Sequence, residues 1–176
     1  NTPTAMIMPA TIFDIAEDAN DYYFPPLTGA YLRVTRILTM LVTLFVTPLW
    51  LLALEYPEKV PEVFRFVLVT EKQNIPIIWQ LLILEFVIDG LKLSSLNTPG
   101  MLSSTFSIIS GIIVSDFAVK SGWFNSETML YMAFVAMANY SQPGYELGYA
   151  IKFMRMTMLV GISLFGIWGF AAGILL

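Results

Sequence analysis

The sequence predicts an all-α fold: a polytopic helical membrane domain of about five membrane segments and an interfacial helix, preceded by the tail of a soluble domain. Three observations carry this. Hydrophobic residues are 57% of the 176 and charged residues 12%, where ordinary soluble domains hold roughly half and a quarter; the mean hydropathy is +0.72. Apolar runs of helix length recur between short polar connections. The chain also opens at Asn1 with no charged leader and stops inside the apolar run "GFAAGILL", so residues 1–24 read as the end of a truncated soluble domain with its linker. Residues 25–176 read as the membrane domain, cut at its C-terminus.

The opening "NTPTAMIMPATIFDIAEDANDYY" predicts a short strand over Ala5–Met8 and then an acidic helix led by Pro9. Segment one, Ile37–Leu54, is uncharged, with Arg33 and Arg36 before it, Glu55 after it and Tyr22, Tyr23, Phe24, Tyr31 and Trp50 at the expected interfaces. Pro48 should kink it. "YPEKVPEVFRFVLVTEKQNIP", with three prolines and mixed charge, predicts a short amphipathic interfacial helix between loops. Segment two, Ile75–Leu93, sets Glu85 and Asp89 one turn apart, with Lys92 three residues on, all on one face. Segment three, Met101–Val119, gathers Ser103, Ser104, Ser107, Ser110, Gly111 and Ser115 into a small-polar stripe opposite Phe106, Ile109, Ile113 and Phe117. Segment four, Glu127–Tyr140, follows an Asn125/Ser126 cap signal and is short of the roughly 20 residues of a full span. Segment five, Thr157–Leu176, aligns Gly166, Gly169 and Gly173 on one face suited to close helix packing. A slight Lys/Arg excess on the N-terminal side favours an N-in topology with five crossings.

With no Cys and no His, the chain offers no thiolate or imidazole metal site, no disulfide and no Ser-His or Cys-His nucleophile pair. Neither a metal, a cofactor nor a catalytic residue is expected, and the net charge of −4 without a basic cluster argues against nucleic acid as a partner. Intramembrane carboxylates are costly and usually face an ion path, a cavity or a cation. Glu85 and Asp89 are therefore the first ion-path candidates; the competing reading has them near a helix end, paired with Lys92. Ser103, Ser107 and Ser110 line a hydrated path or let helices approach, two readings that the residues leave open. The stretch "ANYSQPGYELGYAIKFMR" breaks the apolar pattern at Pro143 and Gly144, so the chain from Asn139 to Glu146 should leave the α-helix. Its Asn139, Gln142 and Glu146 either face an enclosed hydrated space, with Glu146 near Lys152, Arg155 or a neighbouring chain's cation, or belong to a surface loop.

Four stretches, "DYYFPPLTGAYLRVTRI", "TPLWLL", "IPIIWQLLILEFVIDGLKLSSLNTP" and "YELGYAIKFMR", resemble the GerA family of endospore-former membrane proteins, in order from about Asn1 to Arg155. The resemblance implies a soluble N-terminal domain, here mostly absent, and a helical membrane domain resident in the spore inner membrane. It further implies a homo-oligomer around an ion-conducting pore, other spore inner-membrane proteins as partners, and a role in germination through early ion release. On that basis a cation-channel subunit without an enzymatic step is expected. A nutrient germinant receptor A subunit and a secondary transporter are the alternatives, and the lipid bilayer is the common surrounding.

Overall fold

A computed structural model describes residues 11, 14, 18, 23–69, 74–97, 111–113, 116–140 and 145–175. All regular elements among them are helical: α1 (Pro26–Glu55), two 3₁₀ turns (Pro57–Lys59 and Glu62–Val67), α2 (Ile77–Asn97), α3 (Ser126–Tyr140), α4 (Tyr145–Phe165) and α5 (Ile167–Leu175). The strand expected over Ala5–Met8 lies outside the described residues. Thr11 and Asp14 form a capping box, with both the hydroxyl and the N–H of Thr11 donating to Asp14 Oδ2 and the Asp14 N–H donating back to Thr11 Oγ1. Pro9, expected to lead the acidic helix, also lies outside the described residues.

α1 starts with Pro26 at its first position, where a missing N–H costs nothing. It continues through Pro48 to Glu55, well before and slightly past the apolar stretch that predicts it. Thr35, Thr39 and Thr43 each donate a hydroxyl hydrogen bond to the carbonyl four residues back, so the helix hides its own polar groups. The interfacial segment is built from the two 3₁₀ turns, because Pro57 and Pro61 interrupt any longer α-helix. The Trp50 indole N–H donates to Val67 O at 2.9 Å and holds this segment against the end of α1.

The contacts fix the directions. Tyr56 approaches Gly166, Thr43 meets Arg155, and Met40 and Leu44 pack on Leu147 and Ile151, so α1 and α4 are parallel. Glu85 meets Arg155 and Asp89 meets Lys152, which makes α2 antiparallel to both. α3 runs beside α2 in the same sense: the Gln80 amide donates to Asn125 Oδ1 and accepts the Asn125 N–H. The core collects Trp50, Leu51, Ile77, Leu81, Leu84, Met132, Leu159 and Ile162 from α1 to α4, with Phe124 from just before α3, apolar area whose removal from solvent stabilises by about 25 cal/mol per Å².

One boundary differs from expectation. Tyr145–Phe165 is a single helix that runs through Thr157, where the sequence places the start of segment five. The apolar tail instead divides at Gly166, whose φ of +57° ends α4 at little cost for glycine, and α5 folds back along α4. Two helices among the described residues, Pro26–Glu55 and Glu146–Phe165, are long and apolar enough to cross a membrane. α2 matches them in length but carries Glu85, Asp89 and Lys92, α3 has 15 residues and α5 has nine.

Candidate functional site

α2 and α4 each present two charges toward the other, and their antiparallel course pairs them in order. Glu85 and Asp89 are four residues apart on α2; Lys152 and Arg155 are three apart on α4. Arg155 Nε donates to Glu85 Oε1 at 2.7 Å, with Nη2 at 2.5 Å from the same oxygen, while Nη1 donates to the Thr43 carbonyl of α1 at 3.2 Å. Lys152 Nζ is ion-paired with Asp89, donates to the Glu85 carbonyl at 3.3 Å and stands 3.9 Å from Glu85 Oε2. Three helices thereby meet on one charge-balanced group of two acids and two bases.

Burial grades this group. Arg155 is 0% and Glu85 1% exposed, so that pair has exchanged water for protein partners entirely. Asp89 keeps 30% of its side chain accessible. It borders a cleft of about 20 Å³ together with Ile88, Lys92, Asn139, Gly148, Tyr149 and Lys152, room for about one water molecule. Desolvating both members of an ion pair roughly cancels its Coulombic gain, but removing one member leaves a buried charge uncompensated. The group therefore acts as a set of interhelical ties of high specificity, with one wet end at Asp89.

The acids expected together are together, and their cations come from α4. Lys92, the partner anticipated within α2, has its ammonium 5.0 Å from the centre of the Tyr149 ring. Asn139 is half-buried on the cleft beside Asp89. Glu146 is exposed in the first turn of α4. Ser103, Ser107, Ser110 and Gln142 lie outside the described residues. Gly166 is the turn between α4 and α5; Gly169 and Gly173 are buried on α5, where a Cβ would fall 1.9 Å from Gly161 O and 2.6 Å from Met158 Cγ respectively. The roles of Lys152, Arg155 and Gly161 were not read from sequence. The signal for the first two was a pair of cations on an apolar helix with spacing matched to the two acids. Among the described residues no group of three acids is set to hold a metal ion.

A helical bundle tied by buried ion pairs, with two helices long and apolar enough to cross a bilayer, fits the class of helical membrane proteins. Within that class, residues 1–176 match the family described as Bacillus/Clostridium GerA spore germination protein, and the chain belongs to the GerA family. It is 29% identical over 172 residues to stage V sporulation protein AF of Bacillus subtilis, covering 98% of this chain and 35% of that protein. Spore germination protein GerIA of Bacillus cereus is 25% identical over 98% of this chain and 26% of its own length. Spore germination protein A1 of Bacillus subtilis is 20% identical over 96% and 36%. The chain thus spans about a third or less of these relatives. No solved structure matches it.

Proposed function

We propose that this chain is the membrane part of a subunit of an oligomeric cation channel that acts in endospore germination, releasing ions across the spore inner membrane without an enzymatic step. The observation that carries the reading is the buried, charge-balanced group joining α1, α2 and α4 in a chain whose relatives are germination and sporulation proteins. Ionisable residues within apolar helices are retained where they serve an ion path or fix a helix arrangement. Here Glu85 is sealed and fixes the arrangement, while Asp89, with Asn139 beside it, is the member open to water and to a passing cation. In this reading α2 crosses the bilayer because Lys152 and Arg155 neutralise its acids. With the segment expected over Met101–Val119, most of which lies outside the described residues, crossings by α1, α2, α3 and α4 would make five.

Voltage-clamped bilayers containing the full-length protein test this directly. Unitary current steps carried by cations are expected, and smooth substrate-coupled flux without steps would favour a secondary transporter. The similarity to spore germination proteins GerIA and A1 supports a second reading, a nutrient germinant receptor A subunit. Saturable binding of a nutrient by the isolated protein would favour that one.

A further inference from the structure

All four tryptophans of the chain, Trp50, Trp79, Trp123 and Trp168, gather at one end of the bundle. Trp50 is in the last turns of α1, Trp79 in the first turn of α2, Trp123 just before α3 and Trp168 at the start of α5. Cross-links bring these elements to one level: Asn74 Nδ2 donates to Gly122 O at 3.0 Å, Asn125 and Gln80 bond reciprocally, and Tyr56 abuts Gly166. Trp79, Trp123 and Trp168 are each more than half exposed, as are Phe64 and Phe66 on the 3₁₀ segment that Trp50 ties down. An indole has a large apolar body and one N–H, so tryptophans concentrate where hydrocarbon meets headgroups.

Helix lengths mark the other face. From Trp50 back to the exposed Tyr31 is about 28 Å along α1, from Trp79 to Asn97 about 27 Å along α2, and from Phe165 back to Glu146 about 28 Å along α4, at about 1.5 Å per residue. Three helices thus give one thickness, close to the roughly 30 Å of a bilayer's hydrocarbon core. Measured from Trp79, Glu85 lies about 9 Å and Asp89 about 15 Å along α2; Thr43 lies about 10 Å from Trp50, and Arg155 about 15 Å from Phe165. At those depths Leu41, Phe86, Phe153 and Val160 are apolar and exposed, and the exposed Thr157 turns its hydroxyl onto the Met154 carbonyl.

We propose that the bilayer surrounds this bundle with one interface at the level of the four tryptophans, so that the Glu85–Arg155 and Asp89–Lys152 pairs lie near its mid-plane. The partner surface is the phospholipid acyl region, and the charges are tolerated there because they face one another inside the bundle, with Asp89 opening onto its small cleft, while the side chains exposed at that depth are hydrocarbon but for the Thr157 hydroxyl, which donates to the Met154 carbonyl. This rests on the membrane-spanning half of the function proposed above and is independent of ion conduction.

Depth-dependent fluorescence quenching tests it. Full-length variants retaining a single tryptophan, at Trp79, at Trp168, or introduced by Phe86→Trp beside Glu85 on its 79% exposed neighbour, are reconstituted in phosphatidylcholine vesicles. The lipids are brominated either near the headgroup or near the chain terminus. The ratio of deep to shallow quenching should exceed one for Phe86→Trp and fall below one for Trp79 and Trp168. Equal or inverted ratios overturn the assignment. Should the tryptophan-depleted variants misfold, single spin-labelled cysteines at positions 79, 86 and 168 replace them with the other tryptophans kept; residues 1–176 contain no cysteine, and any elsewhere in the full-length protein is changed to serine. Oxygen collision must then be highest at 86, and greater access of an aqueous nickel complex at 86 than at 79 overturns the proposal. No lipid contact at any position would overturn the membrane reading with it, whereas correct depth order without unitary currents would remove the channel reading alone.

Discussion

Arg155 is the residue on which the most depends, because its guanidinium reaches two other helices while being wholly buried. Arg155→Met leaves the buried Glu85 with a more distant cation, Lys152 Nζ at 3.9 Å, that Asp89 shares, and a loss toward the lower end of about 3–5 kcal/mol of stability is expected, read as a lowered midpoint in detergent unfolding. Combining it with Glu85→Leu should recover most of that loss, since no buried charge is then orphaned. A double variant as unstable as the single would mean that the pair is worth far more than its desolvation cost. The second prediction belongs to Asp14, an exposed residue whose carboxyl sits below its ordinary 3.8. The hydrogen bond from the Thr11 hydroxyl is the main cause, followed by the Thr11 N–H, with slight desolvation opposing. A depressed folded-state pKa gives a contribution present above the unfolded value and lost as pH falls through the folded one. Protection of the amides around Thr11, taken relative to their intrinsic exchange rates, should therefore fall below about pH 4, and Asp14→Asn should remove that fall; loss of protection starting near neutrality would exclude the cap as its cause. At this scale the acids were legible, because a one-turn spacing is local. Their cations were not, because residues 70 positions apart meet only after the helices have packed.

The glycines decide how the last two helices meet. Gly161 and Gly169 approach so closely that a Cβ at 169 would lie 1.9 Å from a backbone oxygen, and backbone atoms cannot step aside as a flexible side chain does. Gly169→Ala is expected to destabilise by about 1–3 kcal/mol through overpacking and to loosen α5 from α4, whereas Gly148→Ala, with open space at its Cβ, should be silent. Equal thermal stability of the two variants would refute the contact. Gly166→Ala should also destabilise, since its φ of +57° is disfavoured for residues with a Cβ by about 1–2 kcal/mol and the new methyl meets the Tyr56 hydroxyl. Element identity was legible wherever an apolar run had helix length: α2 and α3 appear close to their expected bounds, and α1 ends where expected but begins 11 residues earlier, at Pro26 rather than Ile37. The division of the apolar tail was not, because Gly166 reads as one more small residue on a helix face until the hairpin supplies its partner. The interfacial segment was legible as polar-aromatic and proline-rich, but the proline spacing made it 3₁₀.

For the whole molecule, the charge balance of the buried group governs how ion conduction has to be probed. Neutralising Glu85 and Asp89 alone, the obvious test of a cation-attracting site, strands Lys152 and Arg155 in the interior, so any fall in current would be inseparable from misassembly. The informative variant is neutral throughout: Glu85→Gln, Asp89→Asn, Lys152→Gln and Arg155→Gln together, which preserves net charge and replaces the ion pairs by amides, isosteric at 85 and 89 and shorter at 152 and 155, that can hydrogen-bond to one another. If Asp89 and its cleft lie on the conducting path, this variant should assemble like the parent and show a unitary cation current reduced several-fold. Asp89→Glu should keep most of the current, since it retains the charge at the wet end. Should the neutral variant assemble and carry the parental current, the cluster is a structural tie and the path runs elsewhere, with the serine-rich segment at 103–110 the next place to substitute. Reduced assembly with normal current per open channel would support the same conclusion, because single-channel amplitude does not depend on how many channels form.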